Sequence, residues 1–336
     1  MTTKAPRRPT LNDVARESGV SNATVSHVLN PLSEKAIAEP TRAKVLSAAA
    51  RLGYVRNTAA ATLRRGHSST VLLVVDETYA GDVSARTVAN ITGGLADLGC
   101  TVIVHTLRDV DLLLETVQAV QPVGVMLLAL IAGDVRDRIV ALGTPHVLGL
   151  DVRPGEDEEA ARFWEVAIGA AQVRHLVGSG HTAIGYLLPV ASPRLVVARA
   201  RLRGAREEAD RLGIAPPLAL AAPLDRQAVA RLLPALRGEG VTAVCAHDDR
   251  MGAAVLAAMH DLGWRAPDDL AVVGADNDEQ SALTVPALTS VAIPDHDYGP
   301  DTARAFEAAF AGQTVDARAA LEAALGTPQV HRRVSA

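Results

Sequence analysis

Residues 10–30 read TLNDVARESGVSNATVSHVLN, and they predict two short helices joined by a tight turn. Thr10 can cap the first helix, and Asp13 can reach back to the free backbone N–H groups, as in a capping box. Gly19 suits the left-handed conformation in which helices commonly end, and Ser21 can cap a second helix. Two short helices joined by a glycine turn form a helix-turn-helix, or else an ordinary helical hairpin packed on a core.

The second predicted helix exposes side chains that are short and polar, or basic. Side chains of this kind could enter a major groove and reach the edges of the bases. The candidate DNA-contacting residues of this region are Thr10, Ser21, Asn22, Ala23, Thr24, Ser26, His27 and Asn30.

Charge is divided unevenly along the chain. Residues 1–66 carry 11 lysines and arginines against four acidic residues, a net charge of +7. Because the whole chain of 336 residues has a formal net charge of −5, the remainder carries −12. A basic head on an acidic body indicates that the head meets a polyanion, although a solvated charged arm would give the same balance.

The two cysteines, Cys100 and Cys245, lie in apolar, strand-like runs. This placement predicts buried free thiols rather than a disulfide framework or a cysteine metal site. The basic N-terminus is not followed by an apolar segment, and no segment approaches the length of a membrane span. We therefore expect a cytoplasmic protein.

From Thr70 onward, short apolar runs alternate with helical stretches, which predicts an α/β fold with parallel sheets covered by helices. Two such sheets fit the length of the chain, with a division near Trp164. Ligands bind to open sheets of this type at the carboxyl ends of the strands, here in the cleft between two lobes. The predicted strands are 71–76, 100–106, 124–130, 146–151, 181–188, 218–222, 241–247, 270–276 and 290–293.

Several classes of enzyme find no support in the sequence. No glycine-rich dinucleotide fingerprint follows the first predicted strand, and the chain contains no P-loop. The triplets 247–249 and 295–297 combine histidine with aspartate, but adjacent residues on a strand point to opposite faces and cannot form a metal site alone. We expect no metal and no cofactor.

The sequence around the two short helices resembles the DNA-binding headpiece of the lactose-repressor/galactose-repressor (LacI/GalR) family of bacterial transcription regulators. The similarity continues in TRAKVLSAAARLGY (41–54), like the family's third helix, and in YVRNTAAATLRRG (54–66), like its hinge. The body, to about Ala311, resembles the family's periplasmic-binding-protein-like domain. This second similarity is carried by RLRGAREEADRLGI (201–214), AVCAHDDRMGAAVLAAMHDLG (243–263), APDDLAVVGADN (266–277) and PALTSV (286–291).

The resemblance implies a hinge helix, capped by Asn57, that folds when two chains meet on DNA. Leu63 of each chain would then wedge into the central minor groove and kink the duplex, which lets more protein touch DNA. Ala60 would pack toward the second hinge helix, and Arg64 would lie near phosphates. A plain linker helix is the alternative for this segment.

The chain departs from the family pattern at several positions. The loop after Asn30 is about two residues longer than usual. Ala38 stands where a capping serine is common, and Arg56 replaces the usual proline. His27 stands where the family often has arginine, so a bidentate arginine–guanine contact is lost.

The resemblance also implies an effector site in the body. Arg201, Asp276 and Asp151 match positions that form a polar pocket in relatives, and His247 stands where the family usually has asparagine. Charged side chains suit sugar hydroxyls, because charge-assisted hydrogen bonds offset the loss of water. Arg201 and Asp276 could instead form a surface ion pair of little energetic value.

Aromatic residues, which sugar sites usually offer as stacking faces, make up only 3% of the chain. Tyr79 and Trp164 are the nearby candidates for stacking, and Trp164 could equally be a core residue. The effector is a sugar or sugar derivative by resemblance, but a smaller molecule, a different class or no effector at all remain open.

These observations predict a transcription regulator, most often a repressor in this family, that binds a near-palindromic operator as a homodimer. A small molecule in the cleft would control its affinity for DNA, and it would be nucleoid-associated when bound. The alternatives are a solute-binding protein without a regulatory role and an enzyme on an α/β body. The expected domains are a headpiece (1–56), a hinge and linker (57–69) and an effector-binding and dimerisation domain (70–336), with lobe 1 at about 70–163 and 294–325 and lobe 2 at about 164–293 plus the C-terminal tail.

Overall fold

A computed structural model describes residues 9–29, 36–54, 69–76, 82–152, 157–190 and 194–336. The described N-terminal part folds into α1 (Leu11–Ser18), α2 (Asn22–Val28) and α3 (Glu39–Leu52). Their apolar faces meet in a small core of valines and alanines. Val14 and Val45 have no exposed surface, so the three helices pack as one unit.

The capping interactions predicted for the first two helices are confirmed. The Asp13 backbone N–H donates to the Thr10 hydroxyl, and the Asp13 carboxylate accepts from the Thr10 backbone N–H at 2.8 Å. Gly19 ends α1 with φ +68°, and the Ser21 hydroxyl accepts from the backbone N–H of Thr24 at 3.1 Å. The helix-turn-helix therefore follows from hydrogen bonds between residues no more than four positions apart.

The first sheet has the order β2-β1-β3-β4, and all its strands are parallel. The central strand β1 is buried on both faces, whereas the edge strand β2 is largely exposed. We call this sheet and the helices packed on it the first lobe. Its elements are β1 (Thr70–Asp76), α4 (Asp82–Asp97), β2 (Thr101–Leu107), α5 (Val110–Val120), β3 (Gly124–Ala132), α6 (Gly133–Ala141) and β4 (His146–Val152).

The second sheet has the order β10-β9-β8-β7-β5-β6 and forms the second lobe. Its strands are parallel except for β10, which pairs antiparallel with β9. Its elements are α7 (Glu158–Ala161), α8 (Phe163–Gly178), β5 (Ile184–Pro189), α9 (Leu195–Arg211), β6 (Leu218–Ala222), α10 (Arg226–Gly238), β7 (Ala243–Ala246), α11 (Asp249–Asp261), β8 (Ala271–Ala275), a short 3₁₀ helix (Glu279–Ala282), β9 (Thr289–Ala292) and β10 (Gln329–His331).

The chain passes between the lobes after β4, after β9 and again before β10. Helix α12 (Tyr298–Phe310) returns to the first lobe, where it packs on α4, and α13 (Ala317–Leu325) lies against β4. The C-terminal strand β10 then joins the second sheet. Residues of both lobes therefore meet at the crossovers, where the candidate site lies.

The predicted α/β fold with two parallel sheets is confirmed, and each of the nine predicted strands is present. The strand β10 was missed, because three residues without an apolar run carry no pattern of their own. Cys245 is buried and Cys100 is partly buried, and both thiols are free. The predicted hinge helix, residues 57–65, lies outside the described residues.

Candidate effector cavity and DNA-binding headpiece

Helix α2 and its N-cap carry six of the twelve predicted DNA-contacting residues. Ser21, Asn22 and Ala23 are exposed. Thr24, Ser26 and His27 are partly exposed. The Thr10 hydroxyl lies within the capping box, so its contribution to this surface is limited by its role in holding α1.

Five of the predicted DNA contacts cannot be placed. They lie outside the described residues, and they are Asn30, Asn57, Ala60, Leu63 and Arg64.

A cavity of about 330 Å³ lies between the two lobes. Its volume falls within the range of small-molecule sites. Trp164, Arg201 and Asp276 line this cavity together. Their role in ligand binding stays a prediction.

The other three candidates for effector binding are placed differently. His247 is buried, and its backbone carbonyl, not its ring, contacts Arg201. Asp151 belongs to strand β4, but its side chain lies outside the described part, and so does Tyr79.

Arg201 is the centre of a buried ion-pair network. Its Nε donates to Glu165 Oε2 at 2.6 Å, and its Nη2 donates to Asp276 Oδ1 at 2.5 Å. Its Nη1 donates to the carbonyl oxygen of His247. Burial by itself would lower the pKa of Arg201, but the two carboxylates outweigh it and raise that pKa well above its ordinary value.

The pairing of Arg201 with Asp276 therefore exists, but it is not the surface ion pair that the sequence left open. Only 1% of Arg201 is exposed. An ion pair at this depth loses its hydration, so removing one partner leaves an uncompensated buried charge. The pair fixes the geometry of the cavity wall.

Trp164 and Arg194 extend this network, and the sequence alone indicated neither Glu165 nor Arg194 as part of it. Glu165 accepts a second hydrogen bond, at 3.1 Å, from the indole Nε1–H of Trp164. Arg194 Nη2 donates to Asp276 Oδ2 at 2.7 Å. The indole ring on the wall is thus held by the same carboxylate that pairs with Arg201.

Two glycines bring α8 and α9 close enough to form this network. A Cβ at Gly169 would lie 1.7 Å from the carbonyl oxygen of Arg201. A Cβ at Gly204 would lie 1.8 Å from the carbonyl oxygen of Val166. The helix backbones are in contact at both places, and this contact puts Glu165 of α8 beside Arg201 of α9.

The loop that carries Asp276 has an unusual backbone. Asp276 has φ +95° and Asn277 has φ +52°, conformations that residues other than glycine seldom adopt. The backbone N–H of Asn277 donates to the Ser290 hydroxyl at 2.9 Å, and that of Asp278 donates to Asp249 Oδ2 at 2.8 Å. These two hydrogen bonds hold the loop against the end of β8.

Asp249 supports this loop from inside the second lobe. Its carboxylate also accepts from the Ser290 hydroxyl at 2.7 Å, and a Cβ at Gly274 would clash with it. Burial raises the pKa of Asp249 to about 7, against the opposing effect of the Ser290 hydrogen bond. Asp249 therefore titrates near neutral pH although it is fully buried.

The C-terminal tail reaches the same loop from the other side. Arg333 Nη2 donates to Asn277 Oδ1 at 2.7 Å, and its Nη1 donates to the carbonyl oxygen of Leu288 at 2.7 Å. The buried Ser335 hydroxyl donates to the carbonyl oxygen of Val272 at 2.6 Å. The last residues of the chain thus brace the cavity wall.

The opposite wall of the cavity is largely apolar. It is formed by the first lobe and by one face of α13, and its side chains include Met126, Leu128, Leu130, Ala320, Leu321 and Ala324. Tyr298 joins Trp164 as an aromatic side chain on the wall. The cavity therefore has a charged side, from the second lobe, and a side that is mostly hydrocarbon.

Within the described part of the chain, no group of three or more His, Cys, Asp or Glu residues is arranged to hold a metal ion. The helices in that same part include none with the length and apolar character needed to cross a membrane.

Comparison with known proteins covers both parts of the chain. The family model "Bacterial regulatory proteins, lacI family" matches residues 10–57, and the model "Periplasmic binding protein-like domain" matches residues 173–335. The HTH-type transcriptional regulator CelR of Thermobifida fusca is 32% identical over 327 residues, which cover 92% of this chain and 94% of CelR.

Solved structures share the fold along nearly the whole chain. The lac repressor dimer bound to operator and the anti-inducer ONPF has a TM-score of 0.74 at 24% identity, covering 98% of this chain and 99% of that chain. A CelR–cellobiose complex has a TM-score of 0.59 at 25% identity, covering 98% of this chain and 100% of that chain. With the helix-turn-helix, the two lobes and the identity to CelR taken together, the chain belongs to the lacI family of bacterial regulatory proteins.

Proposed function

We propose that this chain is a repressor whose affinity for its operator is controlled by a small molecule bound between the two lobes. Family membership makes it a DNA-binding transcription regulator rather than an enzyme. The observation that carries the proposal is the combination, in one chain, of an exposed helix-turn-helix and an interlobe cavity with a buried ion-pair network.

On DNA, α2 would lie in the major groove, where Asn22, Ala23, Ser26 and His27 would contact base edges. Two chains would bind the two halves of a near-palindromic operator. The hinge helices of the pair would insert Leu63 at the centre, with a kink in the duplex. We expect the protein to bind its operator in the cytoplasm and to be associated with the nucleoid when bound to DNA.

Exposed apolar residues support the homodimer. Ile103 and Val104 lie on the edge strand β2, and Leu112 lies on the neighbouring helix α5. In the second lobe, Leu283 is 79% exposed and Val285 is 90% exposed. Apolar side chains grouped at an open sheet edge are typical of a surface that another chain covers.

The ligand would act through the relative position of the lobes. The walls of the cavity come from both lobes. A ligand that fits one arrangement of the lobes better than another therefore shifts the equilibrium between the two arrangements. CelR has been solved with cellobiose, and a sugar or sugar derivative is accordingly the first class to test here. Residues 1–56 would form the headpiece, residues 57–69 the hinge and linker, and residues 70–336 the effector-binding and dimerisation domain.

Selection of binding sites from random duplex DNA with the full-length protein tests this function. We expect enrichment of a palindrome with a flexible pyrimidine–purine step at its centre, and an affinity that falls with salt. The matched control is the chain without residues 1–66. If that truncated chain binds the selected duplex as tightly as the full chain, the regulator proposal fails and a solute-binding protein becomes the better description.

A further inference from the structure

We propose that the effector is an amphipathic molecule without an anionic group, with hydroxyl groups at one end and a hydrocarbon portion at the other. The inference rests on the proposed function, because it takes the interlobe cavity as the effector site. It concerns the chemical class of the ligand, which the relatives' names do not determine.

The arginines that line the cavity are already paired. In the described part of the wall they are Arg86, Arg162, Arg194 and Arg201. Arg201 binds two carboxylates and Arg194 shares one of them, as described above. Arg162 Nη2 lies 3.2 Å from Glu158 Oε1 and 3.6 Å from Asp76 Oδ2.

The fourth arginine, Arg86, lies 3.7 Å from Asp295 in an exposed ion pair. Every arginine of the described wall therefore has a carboxylate within 4 Å. At Arg162, Arg194 or Arg201 an anionic ligand would have to displace a carboxylate from a buried ion pair, which is unfavourable in a desolvated site.

The charged side can still accept hydrogen bonds from hydroxyl groups. Glu165 and Asp276 each have two oxygens, and each oxygen accepts one described hydrogen bond from a protein donor. A carboxylate offers about four lone-pair positions, so further acceptor positions remain on both groups. Hydroxyl donors match them without adding charge.

The apolar side of the cavity is complementary to a hydrocarbon portion of the ligand. Met126, Leu128 and Leu130 of the first sheet face the cavity, and Ala320, Leu321 and Ala324 line it from α13. A fully hydroxylated ligand would leave this wall without a partner and would lose hydration against it. Each methylene that the ligand places there should tighten binding about fourfold.

Two dyes with one skeleton test the charge. N-phenyl-1-naphthylamine is neutral, and 8-anilino-1-naphthalenesulfonate adds one sulfonate. We would titrate each into the full-length chain and follow dye fluorescence. We expect the neutral dye to bind at least about tenfold more tightly than the sulfonate, because the wall supplies no free cation for the sulfonate.

Adjacent alanines on α13 give a matched set of variants. Ala324 lines the cavity and is partly buried, whereas its neighbour Ala323 is exposed and is not part of the wall. Ala324→Lys adds an unpaired cation to the cavity and should shift the preference toward the sulfonate about tenfold, whereas Ala324→Asp should weaken both dyes. Ala323→Lys and Ala323→Asp should change either affinity less than about twofold, since an exposed charge there is screened.

The proposal is overturned if the wild-type chain binds the sulfonate as tightly as the neutral dye, if it does not bind the neutral dye, or if the variants at 323 and 324 behave alike. Operator binding is measured on the same samples with the selected duplex. Specific DNA binding together with a preference for the sulfonate would reject only the ligand class. Absence of specific DNA binding would reject the proposed function, whatever the dyes show.

Discussion

Replacing Asp249 by asparagine should make the stability of the second lobe less dependent on pH. The carboxylate is fully buried and accepts hydrogen bonds from the Ser290 hydroxyl and from the backbone N–H of Asp278. Asparagine has nearly the same shape and no proton to lose. The substitution therefore removes the titration while it keeps an acceptor for the backbone of Asp278.

The direction in which pH changes the stability of the fold follows from the raised pKa of Asp249. The folded protein holds the Asp249 proton up to a pH of about 7, whereas an unfolded chain releases it near pH 4. Between these values the unfolded state binds fewer protons than the folded state, so raising the pH destabilises the fold. The loss of folding stability caused by ionisation of Asp249 is absent below about pH 4 and complete above about pH 7.

The magnitude is set by the size of the pKa shift. A rise of about three pKa units corresponds to about 4 kcal/mol of stability lost at pH 8, since each unit is worth 1.36 kcal/mol. At pH 5 about 1–2 kcal/mol of that loss is already present. The stability of Asp249→Asn relative to the wild type should therefore increase by about 2–3 kcal/mol between pH 5 and pH 8.

Urea denaturation at pH 5, 6, 7 and 8, followed by tryptophan fluorescence, measures this difference. Burial lowers the pKa of several histidines, including His175 and His181, so the wild-type curve alone mixes several titrations. The comparison of variant with wild type cancels them. Asp225→Asn, at an exposed helix cap, is the control and should show a constant difference. A difference for Asp249→Asn that stays constant within about 0.5 kcal/mol would refute the reasoning.

Three further substitutions test the cavity wall and the hinge. Gly169→Ala should destabilise the fold by about 1–3 kcal/mol or more, because its Cβ would meet the carbonyl oxygen of Arg201 at 1.7 Å, while Gly178→Ala in the same helix should be neutral in urea denaturation. Equal midpoints for the two variants would contradict the helix contact. Arg201→Ala should cost about 3–5 kcal/mol and abolish the response to the effector, because two buried carboxylates lose their partner. A stable variant that still responds would show that the network is not the effector site. Leu63→Ala should weaken operator binding and reduce DNA bending while non-specific binding stays intact; equal loss of both in gel-shift assays would argue against a wedge.

The headpiece could be predicted from the sequence because its structure depends on short-range hydrogen bonds. Thr10, Asp13, Gly19 and Ser21 specify the caps and the turn within 12 consecutive residues. The parallel sheets could be predicted for a related reason. Strands buried on both faces must be apolar along their length. The apolar run of β1 therefore predicts a buried strand without any knowledge of the neighbouring strands.

The candidate site was only partly predictable. The resemblance indicated Arg201 and Asp276, but it did not indicate Glu165. The Glu165 carboxylate accepts a hydrogen bond from Nε of the Arg201 guanidinium. For His247 the residue type suggested a side chain in the cleft, whereas the structure shows its carbonyl in contact with Arg201. A backbone contact leaves no mark on residue identity, so no reading of the sequence could have found it.

The sequence by itself determined the helix-turn-helix, the α/β body and the family, because each depends on local patterns or on stretches of similarity. Only the tertiary structure decided the cavity: which carboxylates neutralise its arginines, which loop Asp249 and Arg333 brace, and which wall α13 provides. The contacts of Arg201 with its two carboxylates, for example, join residues 36 and 75 positions apart. Their energies depend on burial and on distance in space, and neither quantity is defined until the two lobes have packed.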